Sequence, residues 1–105
     1  MEGQYLISCY VPASHLEAVK TALFQAGAGK LGAYDHCCWQ TLGQGQFRPL
    51  EQANPSIGEV MNITKLEEYK IEIICQANIL NACIDALKKA HPYELPAYQI
   101  IDFKL

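Results

Sequence analysis

The stretch YLISCYVPASHLEAVKTALFQAGAGKLGAY, residues 5–34, decides the fold because the chain repeats it. Displaced by 64 residues, it falls without a gap on YKIEIICQANILNACIDALKKAHPYELPAY, residues 69–98, and eleven of the 30 aligned pairs are identical. Each copy has the pattern of a strand, a helix and a second strand. Two copies predict a duplicated βαβ unit. This is an α+β, ferredoxin-like βαββαβ sandwich with two helices on one face of an antiparallel sheet.

Local signals place the strands and the ends of the helices. The strands are predicted at Tyr5–Val11, about Tyr34–Leu42, about Leu66–Cys75 and about Ala97–Phe103. Ser14 followed by Glu17 predicts a capping box at the start of the first helix, and Asn78 predicts an N-cap for the second. Gly27 is predicted to end the first helix.

The pattern of the strands predicts association between copies of the chain. The usual strand order of this plan is 4-1-3-2, which leaves strands two and four as edges that invite pairing with another chain. Strand three alternates cleanly, but strand two carries apolar groups on both faces. One layer of helices covers only one face of the sheet. We therefore expect a homo-oligomer in which neighbouring subunits cover the other face.

Composition excludes several classes of protein. The 105 residues fit one domain, 1–105, and half of them are hydrophobic. With a formal net charge of −3 and scattered basic residues, the chain has no electrostatic footprint for nucleic acid. It has neither a long apolar run nor the pattern of a signal peptide, so we expect no membrane association. Five cysteines, an odd number, with three among apolar neighbours, predict buried thiols and a cytoplasmic location.

The segment HPYELPAY, residues 91–98, is the first candidate site. Its prolines fix the backbone around His91, Tyr93, Glu94 and Tyr98, which lowers the entropy lost on binding. His91 and Glu94 are a candidate pair of ligands for a divalent metal ion, and the two tyrosines are candidate ligand-binding groups. The alternative is a stiff connector between helix and strand whose tyrosines pack.

His36 is the second candidate metal ligand. It adjoins Cys37, but neighbours on a strand point to opposite faces, so a structural role is the alternative. The pseudo-two-fold axis of the repeat places His36 and His91 at opposite ends of one subunit. The two histidines would therefore meet only across a subunit boundary.

The segment between the copies, residues 43–64, is the third candidate. The turn Gly43-Gln44-Gly45 predicts a hairpin, and a long loop follows. In that loop Arg48 is a candidate partner for an anion, and Glu51 and Glu59 are candidate partners for Arg48 or a metal. A solvated loop or a clasp between subunits is the alternative. No nucleophile stands at a motif spacing from a base, so no catalytic residue is assigned.

Ordered motifs along the chain resemble those of one known family. They are Tyr34-Asp35-His36-Cys37, Phe47-Arg48-Pro49-Leu50-Glu51, Ala53-Asn54-Pro55, Ile57-Gly58-Glu59, Ala90-His91-Pro92-Tyr93-Glu94 and Pro96-Ala97-Tyr98. Nearly the whole chain resembles the small inserted domain of the NGG-interacting-factor (YqfO-type) proteins. That domain is itself similar to CutA and to the PII signalling proteins.

The resemblance implies a regulatory or interaction module. In the full-length family a larger domain, outside the region of resemblance, carries a dinuclear metal site, so hydrolase chemistry does not carry over. CutA and PII proteins are trimers, and in PII proteins the loop between the copies contacts partners while ligands occupy clefts between subunits. This chain lacks a basic cluster for phosphate, and at Leu95 the family often has a second acidic residue.

Three functions follow as hypotheses. The first is a non-catalytic, oligomeric binding or regulatory module, in the form of a trimer, which takes a divalent metal or small ligand at subunit boundaries. The second is a protein-interaction subunit that docks through the 43–64 loop onto a partner such as a metal-dependent hydrolase. The third is a metal-dependent hydrolase in its own right.

Overall fold

A computed structural model describes residues 3–104, apart from the side chain of Phe103. Its strands are β1 (Gln4–Pro12), β2 (Trp39–Phe47), β3 (Thr64–Gln76) and β4 (Tyr98–Phe103), and its helices are α1 (Leu16–Gln25) and α2 (Leu80–Ala90). The sheet is antiparallel throughout, in the order β2-β3-β1-β4. The ferredoxin-like α+β fold and its strand order are thereby confirmed.

The internal repeat is visible in the backbone. A short 3₁₀ turn precedes each helix, at Ala13–His15 and Ala77–Ile79, and these turns are 64 residues apart like the copies in the sequence. The copies differ in their second strands, because β4 begins at Tyr98 whereas β2 begins only at Trp39. Tyr34, the counterpart of Tyr98, is exposed and forms an isolated bridge with Leu31.

The core lies between the sheet and the two helices. Ile7 pairs with Ile73 and Cys9 with Ile71 across β1 and β3, and all four side chains are buried. Since paired residues of antiparallel strands face the same side, these residues form the floor on which the helices pack. The helices supply the other half of the core with Leu16, Val19, Leu23, Cys83, Ile84 and Leu87. Each large side chain that is fully buried contributes roughly 1.5–3 kcal/mol to stability.

The predicted helix caps are wrong at both N-termini and right at the end of α1. Neither Ser14 nor Asn78 caps a helix, because both lie inside the 3₁₀ turns, and no side chain caps α1 or α2. The Ser14 hydroxyl instead contacts His15 Nδ1 at 2.8 Å. Gly27 does end α1, with φ of +108°; its N–H donates to Phe24 O, and that of Ala28 donates to Leu23 O. This pair of bonds is a Schellman motif, which requires the left-handed conformation.

The predicted hairpin at Gly43–Gly45 is also wrong. β2 runs straight through these residues, with Gly43 opposite Glu68 and Gly45 opposite Leu66. The ladder continues because β3 extends back to Thr64, which gives β2 a partner at every position as far as Phe47. The segment between the two strands is therefore residues 48–63.

The second face of the sheet has no helix over it. The pairing places Leu6, Tyr10, Trp39, Lys70, Glu72, Ile74 and Ile101 on this open face, opposite to the core residues. Trp39 and Ile101 are 65% and 50% exposed. Among residues 3–104, no helix has the length and apolarity needed to cross a membrane.

Candidate functional site

A cleft of about 550 Å³ lies where the end of β2, the segment 48–63 and the turn after α2 meet. Its lining residues are Tyr10, Gln46, Phe47, Arg48, Pro49, Leu50, Ala53, Pro55, Ser56, Ile57, Glu68, Tyr93, Glu94, Leu95 and Ala97. Tyr10 and Glu68 place the cleft on the open face of the sheet, at the end where β3 begins. Mostly apolar walls with a few polar groups are typical of a small-molecule site.

Two aromatic rings form one corner of the cleft. The rings of Phe47 and Tyr93 are 5.4 Å apart between centroids, with an interplanar angle of 65°. This edge-to-face arrangement is favourable for aromatic pairs. It joins the last residue of β2 to the turn after α2, so two distant parts of the chain build one wall.

His91 supports this corner from the protein interior. Its Nε2 lies 2.7 Å from the carbonyl oxygen of Tyr10, which can only accept, and its Nδ1 accepts the backbone N–H of Tyr93 at 3.1 Å. The two bonds require the neutral imidazole with its proton on Nε2. Burial lowers the pKa of His91, against the opposing effects of the Tyr10 carbonyl and of Glu68. The neutral imidazole therefore holds the backbone of Tyr93 in place.

Glu68 fixes the other end of the Tyr93 side chain. The Tyr93 hydroxyl donates to Oε2 of Glu68. Burial raises the pKa of Tyr93, and the Glu68 carboxylate, as an acceptor and a nearby negative charge, raises it further. Glu68 reaches this position because Gly45 carries no side chain; a Cβ there would collide with the carboxylate.

A hydrogen bond joins the two loops that border the cleft. The backbone N–H of Asn54 donates to Oε1 of Glu94 at 2.9 Å. The bond spans 40 residues of sequence, and its acceptor is a side-chain carboxyl oxygen. The width of the cleft is thus coupled to the position of the segment 48–63.

The structure brings three of the predicted site residues together. Arg48, Tyr93 and Glu94 line the cleft, whereas the other predicted ligand-binding residues do not. Tyr98 packs against the core, with Lys88 Nζ 5.8 Å from its ring centroid.

The two predicted loop carboxylates lie elsewhere. Glu59 accepts a hydrogen bond from Asn62, and Glu51 is exposed. Among residues 3–104, Lys20 contacts Glu17 and His36 contacts Asp35, but no such contact joins Arg48 to either glutamate.

The predicted metal ligands His36, His91 and Glu94 have separate environments. His36 is exposed; its ring centroid lies 4.6 Å from that of Phe24, and its Nδ1 lies 3.2 Å from Oδ1 of Asp35. His91 uses both ring nitrogens within the protein. In the part of the chain that the structure describes, no group of three or more His, Cys, Asp or Glu residues is arranged to hold a metal. A metal shared between subunits stays a prediction.

Sequence reasoning missed Glu68 and Tyr10 as parts of the site. Both are strand residues whose alternation marks only the face on which they lie, and a partner at residue 93 leaves no local pattern. Gly43, opposite Glu68, and Gly45, whose missing side chain makes room for the Glu68 carboxylate, were the available signal, because glycines in a strand mark a close approach of other groups.

The buried cysteines behave as small apolar groups. All five are free thiols, and Cys9, Cys75 and Cys83 are buried. Burial raises the pKa of Cys9 and of Cys75 to about 12. Such thiols are unreactive at neutral pH, in agreement with the structural role that the sequence predicts.

The architecture is that of a small ferredoxin-like module with a cleft on its open sheet face. No family model matches the chain. In the GTP cyclohydrolase 1 type 2 homolog of Mycobacterium leprae (strain TN), a region is 43% identical over 91 residues, which are 87% of this chain and 24% of that protein.

Solved structures show the same relationships. A Bacillus cereus protein related to NIF3 superposes with a TM-score of 0.83 at 35% identity, over 99% of this chain and 26% of that one. CutA1 from Shewanella sp. SIB1 has a TM-score of 0.69 at 20% identity, over 97% and 82% of the two chains, which shows a shared fold. The resemblance in the sequence is confirmed as similarity to one part of longer proteins; the chain spans about a quarter of the curated relatives that it matches.

Proposed function

We propose that the chain is a homo-oligomeric binding or regulatory module that takes a small ligand in the cleft between Arg48, Tyr93 and Glu94. The observation that carries this proposal is the bracing of the cleft wall. Tyr93 is held at its backbone by His91 and at its hydroxyl by Glu68, and Glu94 is tied to the opposite loop. A site whose side chains are fixed before binding loses little entropy when the ligand enters.

A blocked cleft tests this proposal. Ala97 lines the cleft, and its counterpart in the first repeat, Ala33, is exposed and does not. Ala97→Trp should abolish chemical-shift changes at Phe47 and Tyr93 in an NMR screen of small-molecule fragments, whereas Ala33→Trp should retain them. Fragments that bind the wild-type protein only at other residues would contradict the assignment of the site.

We propose further that subunit boundaries lie beside the cleft. β2 is an edge strand of nine residues without a charge or a proline, so it lacks the usual protection against pairing. The open face carries exposed apolar groups next to it. A trimer, as the resemblance implies, would cover both features and place the cleft near a neighbouring subunit.

A protein-interaction role is the second candidate. The segment 48–63 exposes Leu50, Val60, Met61 and Ile63, and apolar side chains grouped in one segment are typical of a docking surface. The matched relatives are longer proteins named as GTP cyclohydrolase 1 type 2 homologs, so the proposed partner is a protein of that class. Its retention by the immobilised chain should be lost in the double variant Val60→Lys/Ile63→Lys. Tyr34→Lys, which adds one lysine at an exposed residue outside this segment, is the control.

The proposed compartment is the cytoplasm. Five free thiols, three of them buried in the core, fit a reducing environment.

The hydrolase hypothesis gains no support from the arrangement of acidic and histidine side chains among residues 3–104.

A further inference from the structure

The aromatic corner of the cleft has the geometry of a site for a cation. Phe47 and Tyr93 stand at 65° to each other, and Tyr10 lines the same cleft. Aromatic faces carry negative electrostatic potential, and rings set at steep angles surround a rounded cation from more than one side. An alkylammonium group has this shape and charge, and its carbon atoms suit the apolar walls.

Two carboxylates add negative charge at this corner. Glu68 is half-buried and bonds to Tyr93 through Oε2, and Glu94 follows Tyr93 directly in the chain. The only basic side chain among the lining residues is Arg48, which is exposed. Glu94 and Arg48 are both exposed, and water screens an exposed charge more than a half-buried one, so we take Glu68 as the main counter-charge at the corner.

From these features we infer that the group recognised in the cleft is an alkylammonium cation, held against Phe47 and Tyr93 and neutralised by Glu68 and Glu94. The inference rests on the proposed function of the cleft and names its class of ligand. Arg48 is positively charged and lines the same cleft, so the class of ligand also includes amines that carry a carboxylate. The ordered position of Glu68 over Gly45 gives the cation a fixed counter-charge.

Three probes of one shape and different charge test the inference. They are choline, the neutral 3,3-dimethylbutan-1-ol and the anionic 3,3-dimethylbutanoate, each titrated into the intact protein and followed by the ring resonances of Phe47 and Tyr93. Choline should bind roughly tenfold more tightly than the neutral alcohol, the difference expected for a cation on partly desolvated aromatic faces. The anion should bind more weakly than either.

Matched variants separate charge from shape. Glu68→Gln preserves the size of the side chain and should remove most of the preference for choline over the alcohol. Glu67→Gln, an exposed neighbour on the other face of β3, should leave the preference intact. Phe47→Leu should reduce the affinity for choline, and if it unfolds the protein, the comparison of Glu68→Gln with Glu67→Gln still decides.

The outcomes distinguish the inference from the function on which it rests. If the alcohol or the butanoate binds these rings as tightly as choline, the inferred preference for a cation is wrong while the cleft remains a binding site. If none of the three probes moves the two ring resonances, the inferred preference for a cation is likewise wrong. The fragment screen with Ala97→Trp then decides whether the cleft binds small molecules at all.

Discussion

At His91, burial and two hydrogen bonds couple protonation to the stability of the fold. The neutral ring donates to Tyr10 O and accepts from Tyr93 N–H, so a second proton on Nδ1 would confront a donor. Burial lowers the pKa of His91 from the ordinary value of 6.5. Because the unfolded chain takes up this proton at a higher pH than the folded one, the contribution of His91 is present above 6.5 and is lost as the pH falls below it.

A pair of histidine variants tests this linkage. His91→Gln should lower the free energy of unfolding at neutral pH by about 1–3 kcal/mol, since buried partners lose their bonds, and should flatten its decrease below pH 6.5. His36→Gln, at an exposed ring, should keep the slope of the wild-type protein. Urea unfolding across this pH range measures both effects. An unchanged slope in His91→Gln would assign the pH dependence to other groups.

Gly29 and Gly32 separate backbone strain from crowding. Both have positive φ, +82° and +57°, but a Cβ at Gly29 would meet the Cys37 carbonyl at 2.9 Å and the Phe24 ring at 3.0 Å, whereas one at Gly32 meets nothing within 4 Å. Gly32→Ala should therefore cost only the strain of a left-handed residue, roughly 1–2 kcal/mol. Gly29→Ala should cost clearly more, because the carbonyl belongs to the backbone and cannot turn aside. Equal losses in thermal unfolding would show that the loop 29–37 relaxes around the methyl group.

At the scale of the element, the starts of the helices provide a test of the corrected caps. If Ser14 and Asn78 capped α1 and α2, replacing each with alanine would cost about 1 kcal/mol. They lie inside 3₁₀ turns and make no capping bond, so Ser14→Ala and Asn78→Ala should each change stability by less than about 0.5 kcal/mol. A loss near the higher value, measured by urea unfolding, would restore the capping interpretation for that helix.

The elements also show what the sequence can and cannot predict. Helix spacing at Leu16, Val19 and Leu23 and alternation at Ile71 and Ile73 are local patterns with one physical meaning, and they predict α1 and β3 correctly. The hairpin prediction at Gly43 fails because a glycine signal describes local backbone freedom, while β3 supplies a partner that continues the ladder. The course of β2 is therefore set by its pairing with β3 and not by the local glycine pattern.

The residues of the candidate site likewise divide into those that have a local sequence signal and those that have none. Tyr93 and Glu94 are predictable because prolines mark their turn as rigid, and Arg48 because it stands in a long loop. Glu68 is not, since its role depends on contact with a residue 25 positions away. His91 is predicted as a metal ligand from its place in the rigid turn, but its burial and its two backbone partners appear only in three dimensions.

At the scale of the whole molecule, the open face of the sheet is left without a covering layer of helices. One helix layer covers the core side, and Trp39 and Ile101 remain exposed on the other side. Burying such side chains against a second copy would contribute at roughly 25 cal/mol per Å² of apolar surface. The unprotected edge of β2 offers backbone hydrogen bonds in the same region.

Trp39 reports directly on this face because it is the only tryptophan in the chain. If copies cover the face, its emission should shift to longer wavelength on dilution, in step with a fall in mass by sedimentation velocity. Ile101→Lys places a charge on the covered face and should produce the dissociated mass and red-shifted emission at all concentrations, while Tyr34→Lys, at an exposed residue outside the sheet, should do neither. A wild-type protein that sediments as a monomer at micromolar concentration, with constant emission, would show that the open face meets water, and both edge pairing and ligand sites at subunit boundaries would then be wrong.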